Sequence, residues 1–106
     1  MAKYLLKASY SPEGAKGILK EGGTARASFV ESLVESVGGK LEGFYFAFGD
    51  TDAYVIADLP DASTAAALSL SVSGSGAVST TTVVLLTPEE LDQAASKTVD
   101  YRPPGA

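Results

Sequence analysis

The sequence has no cysteine, no histidine and no tryptophan. Without cysteine there is no disulfide framework, no thiolate nucleophile and no thiolate metal site. Without histidine there is no imidazole base, no imidazole metal ligand and no axial histidine for a haem. The expectation is a protein with no metal and no other cofactor, and the lack of disulfides fits a cytoplasmic location. Charge is missing locally as well: residues 62–88 carry none over 27 positions. Thirteen of those positions are Gly, Ser or Thr, so no window is apolar enough to cross a bilayer, and the stretch reads as a helix followed by a strand. The opening run Met1 to Lys7 is charged too soon for a signal peptide. No membrane partner is expected.

What remains is an acidic chain of 106 residues, 45% hydrophobic and 20% charged, enough for one domain with one modest core. A net charge of −5 argues against a nucleic-acid partner. Residues 1–40 hold six bases and four acids, whereas residues 41–106 hold two bases and nine acids. That asymmetry reads either as an ordinary solvated surface or as complementarity between subunits of a homodimer or larger oligomer.

Residues 3–10 read as a strand. Ser11-Pro12-Glu13 starts a helix that runs to about Glu21. Gly22-Gly23 breaks or kinks it, and Thr24 is placed to cap a second segment to Val37. In that segment Phe29, Val30, Leu33, Val34 and Val37 recur at helical spacing. Gly38-Gly39 supplies a left-handed C-terminal cap. Strands follow over 40–48 and 53–59, joined by a tight turn at Gly49-Asp50-Thr51-Asp52. Pro60-Asp61 opens an Ala-rich helix to about Ser73, residues 77–86 form a fourth strand, and Thr87-Pro88-Glu89-Glu90 is a capping box for a last helix to about Lys97. The order predicts an α+β, ferredoxin-like βαββαβ fold with an antiparallel sheet, helices on one face and an extra C-terminal helix. One domain spans 1–98, and 99–106 is a tail, extended or docked.

Direct pairing of Phe48 with Ala53 sorts the strand faces. Phe44, Phe46, Phe48, Val55, Ala57 and Leu59 fall on one face; Leu41, Gly43, Tyr45, Ala47, Tyr54, Ile56 and Asp58 fall on the other. The first face should meet the helices. The second is too apolar to leave in water, so a second subunit is expected to cover it. Lys7, Tyr45, Tyr54 and Asp58 are the candidate ligand-binding residues. An Asp58–Lys7 pair beside two phenols suits a small ligand between subunits, or else pairs at an interface rim with the tyrosines as anchors.

Other motifs are weaker. Gly74-x-Gly76 is too short for a dinucleotide loop, and Asp50-x-Asp52 lacks the closing Glu of a calcium loop. The Thr80-Thr81-Thr82 run reads as strand propensity, with no histidine to activate a hydroxyl. Tyr101 and Arg102 belong to the tail or dock across a subunit boundary.

The ordered stretches Tyr4–Gly14, Gly38–Glu42, Phe48-Gly49 to Asp52, Leu59-Pro60-Asp61, the Ala-rich 65–72, Gly76-Ala77-Val78 and Leu86–Glu90 together resemble the GYD domain family of small prokaryotic proteins over about residues 1–95. The family's Gly-x-Tyr-Asp pattern reads Gly49-Asp50-Thr51-Asp52 here, so no role of that tyrosine carries over. The resemblance implies a ferredoxin-like fold and a dimeric α/β barrel but no established activity. Similar barrels include cofactor-free monooxygenases, isomerases and haem enzymes, and the lack of histidine disfavours the last. Three readings stand: an oligomer that binds a small apolar or aromatic molecule in a cleft between sheet and helices, lined by Tyr45, Tyr54, Asp58 and Lys7; a cofactor-independent enzyme of the monooxygenase or isomerase kind with Asp58 as base and Tyr54 or Lys7 as acid; and a structural or regulatory oligomer with no ligand.

Overall fold

The computed structural model describes residues 1–106. From the N-terminus the elements are β1 (Ala2–Tyr10), α1 (Pro12–Glu21), α2 (Gly23–Ser36), β2 (Lys40–Phe46), β3 (Ala53–Leu59), α3 (Ala62–Ser73), β4 (Val78–Leu85) and α4 (Pro88–Ser96). Alternation decides the sheet faces. β1 turns Tyr4, Leu6 and Ala8 inward, and β3 does the same with Ala53, Val55, Ala57 and Leu59. These strands are the centre of a four-stranded sheet of order β2-β3-β1-β4 with every neighbouring pair antiparallel. The arrangement is α+β and consistent with the expected ferredoxin-like fold. α2 and α3 close the inner face, where Val34, Ala65 and Leu68 join Tyr4, Leu6, Val55, Ala57 and Leu59 in the main core.

The helix boundaries follow local chemistry. The Ser11 side chain accepts from the Gly14 N–H, and Thr87 with Glu90 forms the expected capping box. Gly22, at φ 88°, ends α1 and is itself the N-terminal flank of α2, which has no side-chain cap. Thr24 therefore lies inside the helix and does not cap it.

Asp61 caps α3, accepting from the Thr64 backbone N–H at 2.8 Å and the Ser63 hydroxyl at 3.0 Å. Donation from Thr64, the larger influence, and from Ser63 holds its carboxyl below the ordinary value of 3.8. Because the folded pKa is the lower one, the stabilisation is complete above the unfolded value and is lost as pH falls through the folded value. In urea unfolding, the advantage of the parent over Asp61→Asn should hold at neutral pH and shrink below about pH 4. A difference that stays constant with pH would contradict this account.

Two departures from the sequence reading share one strand. The register runs Leu41↔Ala57 and then Gly43↔Ile56, leaving Glu42 as an extra, bulged residue. The bulge shifts the alternation by one, so Leu41 packs on the core instead of lying on the outer face. At the other end Ala53 pairs with Phe46, not Phe48, and β2 stops there. The cause is Asp52. Its N–H donates to the Ala8 carbonyl at 2.8 Å and its carboxylate accepts from the Tyr10 N–H at 2.8 Å. Asp52 is thus tied to the end of β1, its carbonyl also accepts from the Ala47 N–H at 2.8 Å, and the turn closed by that bond spans 48–51 instead of 49–52. Ala47 and Phe48 lie outside the strand, and Phe48 is fully exposed.

Beyond β4 the chain leaves the body. Every residue of α4 and of the following 97–106 segment is exposed, including Leu91, Val99 and Tyr101. The molecule is correspondingly elongated, 56 × 33 × 22 Å. No helix is long and apolar enough to cross a membrane.

Candidate functional site

Two glycines in α1 open a cleft on the helix side. A Cβ at Gly14 would lie 2.3 Å from the Ala77 carbonyl oxygen, and the Ser11 N–H donates to that same oxygen at 2.9 Å. The first turn of α1 is therefore seated directly on the chain entering β4. The rest of α1 buries no residue; it reaches out as a roof, and Gly22 then turns the chain back so that α2 can bury Val34. Between α1, α2, the end of α3 and the start of β4 lies a cleft of about 490 Å³, within the usual range for small-molecule sites. Ile18, Phe29, Leu33 and Val72 give it apolar walls. A second void of about 50 Å³ lies deeper, against Leu6, Ala8 and Val55 of the sheet. Tyr10, Arg26, Leu33, Val72 and Val78 line both spaces, so the two adjoin.

Arg26 stands at that junction. Its Nε is buried and has no hydrogen-bond partner in the protein. Its guanidinium carbon lies 5.2 Å from the centre of the Phe29 ring, one helical turn on, a cation–π contact. Glu13 and Glu21 border the same cleft but are exposed, and neither pairs with Arg26; the ion pairs of the molecule both belong to Lys3. The cleft thus combines an apolar wall, one half-buried cation with an unpartnered Nε–H at its throat and an acidic, exposed rim.

The residues singled out from sequence lie elsewhere. Cross-strand register places Lys7, Tyr54 and Tyr45 in one row on the outer face of the sheet, opposite the helices. They do not line the cleft between sheet and helices, because alternation from the buried Leu6, Ala8, Ala53 and Val55 sends them away from it. Asp58 is on the same outer face, two register rows from Lys7. Its partner is Lys3, at 3.0 Å, and Lys3 also bonds Glu42, the bulged residue. Hydrogen bonds from Lys3 to Glu42 and then to Asp58 raise the Lys3 pKa above its ordinary 10.5. An Asp58 held in this way lacks the enclosed, unpartnered setting that a general base at that position needs.

Sequence reasoning passed over Arg26 and Tyr10. The signal was present for Arg26, which stands three and four residues before Phe29 and Val30 and so falls on the apolar stripe of its helix. Tyr10 continues the inward series Tyr4, Leu6, Ala8 at the last position of β1.

The glycines give a direct test of the cleft wall. At Gly17 a Cβ meets nothing within 4 Å, whereas at Gly14 it meets backbone. Gly17→Ala should stabilise the chain by about 0.5–1 kcal/mol through helix propensity. Gly14→Ala should cost about 1–3 kcal/mol despite the same propensity gain. Urea midpoints of the pair that move in the same direction would refute this placement of α1.

Comparison with curated proteins and with solved structures finds no significant match. The family model described as the GYD domain matches residues 4–95, a span that takes in all of the sheet but the first two residues of β1, the cleft and nearly all of α4. The chain belongs to the GYD domain family.

Proposed function

We propose that the protein is a homodimer that binds a small apolar or aromatic molecule, with one cleft in each subunit between the sheet and the helices. The observation that carries the binding reading is the 490 Å³ cleft with its apolar wall, adjoining a void in the core. The dimer reading rests on surface. A compact monomer of this mass exposes about 5,500 Å², whereas this chain exposes 7117 Å². The excess, to which the wholly exposed α4 and 97–106 segment contribute, exceeds the ~800 Å² that one partner contributes to a standard interface. The outer sheet face supplies a suitable patch, with Leu5 between Ile56 and Val83 in register, and the exposed Tyr45 and Tyr54 beside them. In this dimer Lys7, Tyr45, Tyr54 and Asp58 lie between subunits, with the tyrosines as anchors.

Native mass spectrometry of the freshly purified protein, set against its denatured mass, tests both parts. A dimer with excess mass that disappears on denaturation is the expected result. Gly17→Phe, which places a ring in the open part of the cleft, should remove the excess and leave the dimer. A monomer refutes the assembly, and an excess mass retained by Gly17→Phe refutes the site.

A further inference from the structure

We infer that the ligand of this cleft is a monoanion, a carboxylate on an apolar body, held by Arg26. The inference rests on the proposed binding cleft and adds the chemical class of its occupant.

The first support is desolvation. A buried guanidinium N–H without an acceptor is unfavourable, and a carboxylate can satisfy it with a charge-assisted hydrogen bond. The Arg26 Nε is such a group, and Arg26 borders both the cleft and the apolar void beneath it. The second support is position along the helix. Arg26 lies in the first turns of α2, which has no side-chain cap and no acidic residue in its first turn. Helical side chains lean towards the N-terminus, so a positive charge sits at the positive end of the helix dipole with no carboxylate of the chain paired to it. An anion in the throat relieves both.

The rim sets the ligand's charge. Glu13 and Glu21 are exposed at the mouth, where water screens them, whereas Arg26 acts in a less polar setting in which a close charge counts for more. One guanidinium against two outlying carboxylates suits a single negative charge and disfavours a dianion such as a phosphomonoester. The walls formed by Ile18, Phe29, Leu33 and Val72 then take the apolar body.

The probes are matched acids and amides of the same shape: cinnamate with cinnamamide, and octanoate with octanamide. Titration of the isotope-labelled protein, followed by NMR at the Arg26 Nε–H and at the methyls of Leu33 and Val72, reads site and affinity together. An acid of at least one pair is expected to bind roughly tenfold to a hundredfold more tightly than its amide, with a shift of the Arg26 Nε–H. Arg26→Gln should reduce acid binding to the amide level. Acid and amide binding equally at the cleft methyls overturns the inference and leaves the cleft reading standing. Absence of binding by every probe overturns both. The acid–amide comparison in the parent protein decides the matter even where Arg26→Gln is poorly folded.

Discussion

Gly39→Ala is expected to destabilise the protein by about 3 kcal/mol, a large effect for one methyl group. A Cβ built at Gly39 lies 2.6 Å from the Asp58 carbonyl oxygen, 2.7 Å from Leu59 Cδ2 and 3.0 Å from Val34 Cγ1. Leu59 and Val34 are the largest fully buried side chains of the molecule, so neither has free volume to yield. The Asp58 oxygen belongs to the backbone of β3 and moves only with the strand. The chain leaving α2 would have to lift from β3, opening the core where it is most closely packed. The neighbouring Gly38 provides the contrast. It holds φ 82°, and a Cβ there comes only within 3.5 Å of Pro60 Cγ. Gly38→Ala should therefore cost about 1–2 kcal/mol, from left-handed backbone strain alone. Gly49→Ala, where nothing lies within 4 Å, should be near neutral. Urea unfolding at one fixed protein concentration gives the ranking, because assembly would add to the apparent stability of every variant. A Gly39→Ala midpoint at or above that of Gly38→Ala would contradict the close approach.

The same glycine pair illustrates what the sequence made legible. Gly38-Gly39 after an apolar helical stripe predicts a helix end, and α2 does end there. Only the structure separates the roles: Gly38 takes the left-handed backbone, while Gly39 makes room for β3. Element order, the caps at Ser11, Asp61 and Thr87 and the inward series of β3 were readable because each depends on neighbours in sequence, whereas the expected Thr24 cap was not found. The other failures depended on distant partners. The bulge at Glu42 follows strand alternation gone out of phase, and Glu42 bonds Lys3, 39 residues away. The shift of the turn to 48–51 follows from Asp52, which bonds Tyr10 and Ala8 across the sheet end. Counting turn residues could not find either. The expected cleft was one lined by Lys7, Tyr45, Tyr54 and Asp58, and none of the four borders the cleft beside α1. Tyrosines and an Asp–Lys pair drew attention to the outer face, and Arg26 was not singled out. A charged residue on an apolar helical stripe was the available clue, and it gains meaning once α1 is seen to stand away from the sheet.

Ile56→Lys is expected to convert the proposed dimer to a monomer while leaving the fold of each subunit unchanged. Ile56 occupies the middle of the outer face, between Leu5 on one side and Gly43 on the other in register. Gly43 presents no side chain, and the Tyr45 ring leans over it, with Cε2 3.2 Å from where a Cβ would stand, so Ile56 sits in an apolar patch. In the isolated subunit a lysine here can extend its ammonium into water, because nothing within the chain covers this face. In a face-to-face dimer with twofold symmetry the same substitution enters twice and brings two ammonium groups into one apolar patch. Dissociation should be favoured by roughly a hundredfold or more, equivalent to about 3 kcal/mol. Sedimentation equilibrium on parent and variant measures this directly, and circular dichroism confirms that the sheet survives. Removal of residues 98–106 supplies the competing explanation with its own outcome, since that exposed segment carries Val99 and Tyr101. Loss of the dimer on truncation, with Ile56→Lys still dimeric, would move the interface from the sheet face to the C-terminal arm. Loss of the dimer in Ile56→Lys alone assigns it to the face formed by β1, β3 and β4, where the register aligns Ile56, Leu5 and Val83.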